Sequence, residues 1–396
     1  MRLTPKNELE HRYRKLQQEM AGAGLDAVVM LQNADLFYFT GTTQTGNLYL
    51  PASGPPIYLV RRSFLRARME SALAEIVPIN SLSELPGLVA GYGHPTPARI
   101  GLELDVLPVN LFRKYQDLYP NAQFLDASPL IRRVRAVKTH YEIHILQDAA
   151  VQADKVYRRA AEVIREGMTE LELSAELEQL ARREGHQGYL RMRAFNGEVA
   201  YNHVLSGADA AVPAFCNTPL GGMGLTPAFG QGASLNRLGR DEPVVVDFAN
   251  YCDGYLVDQA RVFAIGSVSD RMRRGYDDML RVEELMIRLA EERSTWGEIY
   301  DACLALAHRM GYADHFMGAA GAQVPFIGHG VGIEIDEFPF IARGFAAERL
   351  EPGMAFAFEP KLVFPGEGAV GIENTFYLTE TGIKRLTFSS QELVIL

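Results

Sequence analysis

The chain reads as a two-domain α/β (α+β) protein: a mixed α/β domain comes first, then a larger domain built from two similar halves. Three observations predict this. Its 396 residues exceed the size at which one hydrophobic core usually keeps growing. An apolar content of 47% and a charged content of 22%, with 36 Gly and 20 Pro, are those of a globular chain. Short apolar runs alternate with helical patterns in the first third, and a pair of helix signatures recurs at one fixed offset in the rest.

In the first third, Leu25–Leu31, Ile57–Val60 and Arg99–Leu102 read as strands, and segments near 8–23, 61–75 and 107–118 as amphipathic helices. That alternation predicts a mixed α/β layer. The texture changes at Val137, so the boundary is placed between domains 1–135 and 136–396. A long helix over 139–165 follows, with Ile143, Leu146, Ala149, Ala150, Val156 and Val163 at helical spacing. The next helix begins at Thr169, which forms a capping box with Glu172, and stops at Gly185. A helix over 269–293 precedes Thr295, which pairs in the same way with Glu298, and that helix stops at Gly311. Thr169 to Thr295, Glu172 to Glu298 and Gly185 to Gly311 are each 126 positions apart. Three matches at one offset predict an internal repeat about a pseudo-twofold axis, with a cleft shared between the halves.

Charge and cysteine content narrow the function. Lys plus Arg total 39 against 49 Asp plus Glu, and the net charge of −10 disfavours nucleic acid or an anionic membrane as partner. Residues 1–135 hold 15 basic and 12 acidic side chains; the remainder holds 24 against 37, so the acidity belongs to the second domain. No apolar run approaches the roughly 18 residues needed to span a bilayer, and the start, with Arg2, Lys6, Glu8 and Glu10, lacks an apolar signal core. A cytoplasmic protein is therefore expected. Cys216, Cys252 and Cys303 are odd in number and lack metal-type spacing, so they read as small buried residues.

The run Val244–Phe263 reads as a hairpin with Asp253-Gly254 as turn material. A turn centred between Cys252 and Asp253 sets Asp247 directly opposite Asp258, whereas a two-residue Asp-Gly turn makes them diagonal neighbours. Either register puts both on one face with Cβ atoms roughly 5–8 Å apart. Two carboxylates so placed among Val244, Val245, Val246, Val262 and Phe263 repel one another unless a proton or a cation intervenes. A second hairpin repeats the arrangement with Glu359, a turn around Pro365–Gly368, and Glu373, which stands 126 positions after Asp247. Between the hairpins lies Gly328-His329-Gly330, where small neighbours leave the imidazole accessible. Only Arg261 and Lys361 are basic in these segments, too few to neutralise four carboxylates. Four carboxylates and one imidazole suit a pair of divalent ions such as Mn, Co, Fe or Zn.

The order and context of Asp247, Asp258, His329, Glu359 and Glu373 resemble the metal ligands of the pita-bread metallopeptidase superfamily, which includes aminopeptidase P, prolidase, methionine aminopeptidase and creatinase. Gly24-Leu-Asp-Ala-Val, Tyr38-Phe-Thr-Gly41, Arg135-Ala-Val-Lys138 and Glu142-Ile resemble the creatinase/prolidase side of it. The resemblance implies a creatinase-type N-terminal domain, a pita-bread catalytic domain, and two divalent ions per chain, manganese foremost with cobalt, zinc or iron as alternatives. Asp247 would bind one ion, His329 and Glu359 would favour the other, and Asp258 and Glu373 would bridge both. A hydroxide shared by the ions would attack the carbonyl before proline while Glu359 relays the proton. The implied enzyme is an Xaa-Pro dipeptidase or aminopeptidase P-like peptidase, a homodimer acting on short peptides.

Against that pattern the residues expected to contact substrate are altered. Ala214, Pro325 and Asp336 stand where relatives carry histidines, and Gly371 where they commonly carry arginine. A Gly- and Pro-rich stretch over 218–232 reads as a lid or pocket wall. His203, 126 positions before His329, is the candidate compensating imidazole and catalytic residue, with Tyr201, Tyr251 and Tyr255 as other donors. The alternatives are a same-fold enzyme cleaving or eliminating at a C–N bond of a small non-peptide substrate, as creatinase does, and a catalytically weak peptide-binding relative.

Overall fold

Apolar strands too short to form a core alone are gathered into one sheet by the helices between them. The computed structural model describes residues 2–396, which divide into two compact units, Met1–Arg135 and Ala136–Leu396. In the first unit β1 (Ala27–Met30), β2 (Gly46–Pro51), β3 (Ile57–Val60), β4 (Glu75–Pro78), β5 (Arg99–Leu102) and β6 (Gln123–Asp126) form a sheet of order β4-β3-β2-β1-β5-β6. β1 runs antiparallel to β2 and parallel to β5, so the sheet is mixed. The helices are α1 (Lys6–Ala23), α2 (Asn33–Thr40), α3 (Phe64–Glu70), α4 (Leu85–Gly91), α5 (Val109–Leu118) and α6 (Ser128–Ala136). Gly24 ends α1 in the left-handed conformation that a residue with a Cβ adopts only at a cost. The helix expected over 61–75 is cut to α3, because the chain from Glu75 pairs parallel with β3.

In the second unit the predicted caps form. Thr139, Thr169 and Thr295 close capping boxes with Glu142, Glu172 and Glu298, starting α7 (His140–Val163), α8 (Glu170–Arg183) and, after α9 (Asp270–Glu291), α10 (Trp296–Arg309). α8 and α10 each have 14 residues. The strands are β7 (Asn202–Ser206), β8 (Pro243–Phe248), β9 (Asn250–Cys252), β10 (Tyr255–Val257), β11 (Ala260–Ala264), β12 (Phe326–Val331), β13 (Ile335–Ala342), β14 (Ala355–Phe358), β15 (Lys361–Phe364), β16 (Gly368–Gly371), β17 (Asn374–Thr379), β18 (Gly382–Arg385) and β19 (Val394–Ile395). Two sheets result, β19-β11-β8-β7 and β13-β12-β14-β17-β18, with the ribbons β9/β10 and β15/β16 extending one hairpin in each.

The triplet β11-β8-β7 matches β17-β14-β12, which is the repeat, but it corrects one detail of the sequence reading. Topology equates β8 with β14 and β11 with β17, so Asp247 corresponds to Glu359 and Asp258 to Glu373. The 126-residue spacing of Asp247 and Glu373 is a coincidence of loop lengths, whereas His203 on β7 and His329 on β12 occupy corresponding strands. The cysteines also differ from expectation. Cys303 is buried in the core with Met279, Val282 and Ile299, but Cys216 and Cys252 are partly exposed, Cys252 because it ends β9 at a turn; none of the three is in a disulfide. Among the described residues no helix is long and apolar enough to cross a membrane.

Glu170, fully buried at the start of α8, ties the end of β7 and the loop at Ser234 to that helix. It accepts from the Ser206 backbone N–H at 2.6 Å and hydroxyl at 3.0 Å, and from the Ser234 N–H at 2.9 Å and hydroxyl at 2.8 Å. Glu170→Ala strands two backbone donors, at about 1–3 kcal/mol each, so urea unfolding is expected to show a loss of roughly 2–5 kcal/mol. Gly330 lets β13 cross β12 closely: a Cβ there would lie 2.2 Å from the Phe338 carbonyl oxygen. Gly330→Ala is therefore expected to lower stability by about 1–3 kcal/mol in a thermal melt, the usual cost of overpacking.

Candidate metal centre

Two hairpins, one from each half, deliver the carboxylates. Asp253 (φ 44°) and Gly254 (φ 88°) form a two-residue turn with both φ angles positive, as a tight hairpin requires. Cys252 pairs with Tyr255, and Ala260, rather than Asp258, faces Asp247. Asp247 and Asp258 are therefore diagonal neighbours, and the directly opposed register is excluded. In the second hairpin Phe358 pairs with Asn374 and Lys361 with Gly371, which sets Glu359 and Glu373 at facing positions between those pairs. The hairpins are joined by reciprocal backbone bonds between Ala260 and Glu373 and by the Thr375 hydroxyl, which donates to the Asp258 carbonyl at 2.8 Å. β7 sets His203 opposite Asp247, and β12 sets His329 opposite Ala357.

Asp247, Asp258, His329, Glu359, Glu373 and His203 all line one cavity of ≈ 60 Å³, room for a few water-sized groups. Asp258, His329 and Glu373 form the tightest set, each offering a ligand atom within 4.8 Å of the other two. His329 Nδ1 faces the Gly330 carbonyl at 3.3 Å, and Nε2 lies 3.7 Å from Glu359 Oε1 and 3.8 Å from Glu373 Oε1. Burial pulls the imidazole's pKa down, but the Glu373 contact and the charges of Asp336, Glu359 and Asp258 carry it up to about 10. Burial, with Glu373 and Asp247 adding to it, pushes Asp258 well above the carboxylate range. The glycines beside His329 do not expose it. The ring is buried, and Gly328 and Gly330 instead permit close crossing by the Ala357 and Phe338 carbonyls.

The largest departure from expectation is Lys361. Its Nζ donates to Asp247 Oδ2 at 2.7 Å, Glu359 Oε2 at 2.7 Å and Glu373 Oε2 at 2.8 Å, in a site where the side chain is 2% exposed. Burial opposes the ammonium, yet the three carboxylates outweigh it and hold the pKa well above the usual value. Glu373, raised by burial, is brought down to about 2 by Lys361 and His329, while burial prevails at Asp247, about 6, and Glu359, about 7. Arg261 plays no such part: it donates to the carbonyls of Ser390, Ala260, Glu373 and Ser389 and to Asn374 Oδ1. One basic residue thus neutralises more than its count in the sequence suggested.

The donors were set against the two ions expected. Asp258, His329 and Glu373 offer two carboxylates and an imidazole, which fits one borderline-hard divalent ion. The Oε2 atoms of Glu359 and Glu373 and Oδ2 of Asp247 already accept from an ammonium. An ion sharing those oxygens would sit within about 4 Å of Nζ, where unit charges repel by about 4 kcal/mol at an effective dielectric near 20, and a dication by roughly twice that. The residues fit one ion as they stand and do not fit two.

Around the centre, His203 faces Gln231 Oε1 at 3.4 Å, and burial lowers its pKa to about 4, so the ring is neutral. Tyr201 lines the cavity and packs on His186 with ring centroids 4.6 Å apart. Tyr251 turns away, donating to the Ile333 carbonyl at 3.2 Å, and Tyr255 is buried off the cavity wall. Asp336 lines the cavity with Oδ1 3.7 Å from His329 Nδ1; Ala214 and Pro325 do not line it. Of the 218–232 stretch only Thr218 reaches the cavity, and Gln231 reaches it through His203. Sequence reasoning missed Gln231 and Glu170, whose single polar letters carry no spacing signal.

Residues 144–380 match the model of metallopeptidase family M24, and residues 12–137 that of the creatinase/prolidase N-terminal domain. The Xaa-Pro dipeptidase of Pyrococcus furiosus is 27% identical over 388 residues, covering 98% of this chain and all of that protein. An uncharacterized peptidase of Bacillus subtilis is 25% identical over 96% of this chain and 99% of its own length. The solved Xaa-Pro dipeptidase from Bacillus anthracis superposes with a TM-score of 0.81 at 26% identity, over 98% of this chain and 100% of that one. With the family model spanning well over half its length, the chain belongs to metallopeptidase family M24, a peptidase enzyme of pita-bread fold carrying a creatinase/prolidase N-terminal domain.

Proposed function

We propose that the chain hydrolyses the peptide bond preceding proline in short peptides, in the manner of an Xaa-Pro dipeptidase. The observation that carries this is the convergence of Asp247, Asp258, His329, Glu359 and Glu373 on one small cavity, in a chain aligned end to end with proteins named for that activity. A divalent ion held by Asp258, His329 and Glu373, with manganese foremost, would supply Lewis acidity and an acidified water. Glu359 is the proton carrier: Lys361 holds its Oε2, leaving Oε1 toward His329 to take a proton from the attacking water and return it to the departing nitrogen. His203, neutral and across from Asp247, holds its one N–H against Gln231 Oε1, and that N–H would pass from Gln231 to the carbonyl oxygen as charge develops there. The confined cavity limits water around the reacting atoms and limits the substrate to a short one. The acidic character of residues 136–396 suits a substrate with a free amino terminus.

A second reading, cleavage of a C–N bond in a small non-peptide substrate, is favoured by one observation. Asp336 presents a carboxylate to the cavity where relatives carry an imidazole, which changes the charge that a substrate meets. A panel of Xaa-Pro dipeptides and Xaa-Pro-Yaa tripeptides with manganese-loaded protein separates the two. Release of free proline from dipeptides supports the first reading, and no cleavage of any member sinks it.

The ligand assignment makes its own prediction. Asp258→Asn and Glu373→Gln are each expected to weaken metal binding by at least about 100-fold, the upper range for disturbing even the groups that support ligands. Equilibrium dialysis with metal analysis checks this, and wild-type affinity in either variant would remove that residue from the set.

A further inference from the structure

We propose that Lys361 is a resident cation occupying one of the two places where divalent ions would lie, so that the chain binds a single ion, on Asp258, His329 and Glu373. The inference rests on the metal-dependent reading above and deepens it. An ammonium has three protons to donate, and Lys361 spends all three on carboxylates, at 2.7, 2.7 and 2.8 Å. Those acceptors are Asp247 and Glu359, topologically equivalent carboxylates from the two halves, and Glu373, which also belongs to the three-residue set.

The backbone is built around this side chain. Lys361 is the first residue of β15 and pairs with Gly371, where a Cβ would lie 2.4 Å from the Pro360 carbonyl oxygen and 2.7 Å from Lys361 Cα. No side chain fits at 371 while β15 holds that course. The lysine stem enters the carboxylate cluster from the sheet, and Lys361 is absent from the cavity wall that the carboxylates line. Charge points the same way. Four carboxylates against one ammonium leave a formal −3, which one divalent ion reduces to −1 and a second would invert to +1.

The test uses the whole chain, stripped of metal by a chelator and titrated with Mn²⁺. Bound metal is counted after gel filtration, and electron paramagnetic resonance distinguishes an isolated ion from an exchange-coupled pair. One equivalent with an isolated-ion spectrum is expected for the wild type, and two equivalents with a coupled spectrum for Lys361→Ala. Two equivalents in the wild type would overturn the proposal, as would a Lys361→Ala protein that still binds only one. The wild-type count decides by itself if the variant does not fold. Binding of no metal would sink the metal-dependent reading itself, whereas one equivalent with no peptide cleaved would leave Lys361 in its role and remove only the proposed substrate.

Discussion

Everything in the catalytic unit answers to one constraint: four carboxylates are held almost out of water on the walls of two β-hairpins, and such a cluster must be given positive charge. Burying ionised groups is costly unless they are paired and hydrogen-bonded. Lys361 meets three of the four, and His329 stands within 4 Å of two. The flanking strands carry buried apolar side chains, Val244, Val246, Phe356 and Phe358 among them, so the only room for solvent beside the carboxylates is the small cavity they line.

The fold supplies the cluster by duplication. Each half contributes a helix pair whose second member begins at a threonine capping box, a strand carrying a histidine, and a hairpin carrying two acidic residues. The halves meet where the Ala260 and Glu373 backbones exchange hydrogen bonds, so the diagonal pair of one hairpin is locked to the facing pair of the other. The halves are not equivalent in chemistry. His329 faces carboxylates on Nε2, whereas His203 is neutral and turned toward Gln231, a division of labour between two imidazoles on matching strands.

Much of this was legible in the sequence because it is local. A threonine followed three residues later by glutamate marks a helix start, and Asp-Gly between apolar strands marks a hairpin, through bonds made within a few residues. The register of Asp247 and Asp258 was left open between two turns, since only the backbone conformation at Asp253 and Gly254 decides it. The symmetry of the carboxylates was misread because an equal offset in sequence need not be an equal place in a sheet. Lys361 was counted with Arg261 as too little charge for four carboxylates, because its weight lies in three partners up to 114 positions away that a count of basic residues does not register.

Gly371, where the family resemblance implies an arginine, and Lys361 lie on one pair of strands. They are direct partners across β15 and β16, and the space a side chain at 371 would need is taken by the Pro360 carbonyl and the Lys361 backbone. The arginine that the resemblance leads one to expect is absent from β16, and the cation of this hairpin stands on the adjacent strand as Lys361. The hairpin's ammonium is consumed by the protein's own carboxylates. A side chain with three donors satisfied at under 3 Å has nothing left to offer a substrate. On the proposed reading a substrate carboxylate would meet neutral donors of the cavity wall, Tyr201, Asn202, Asn217 and Thr218 among them. Neutral donors bind an anion more weakly than a guanidinium does, and they tolerate an uncharged group in its place. On the proposals above, one positive charge set inside the carboxylate cluster would leave substrate recognition to neutral groups at the same time as it reduced the metal that the cavity could hold.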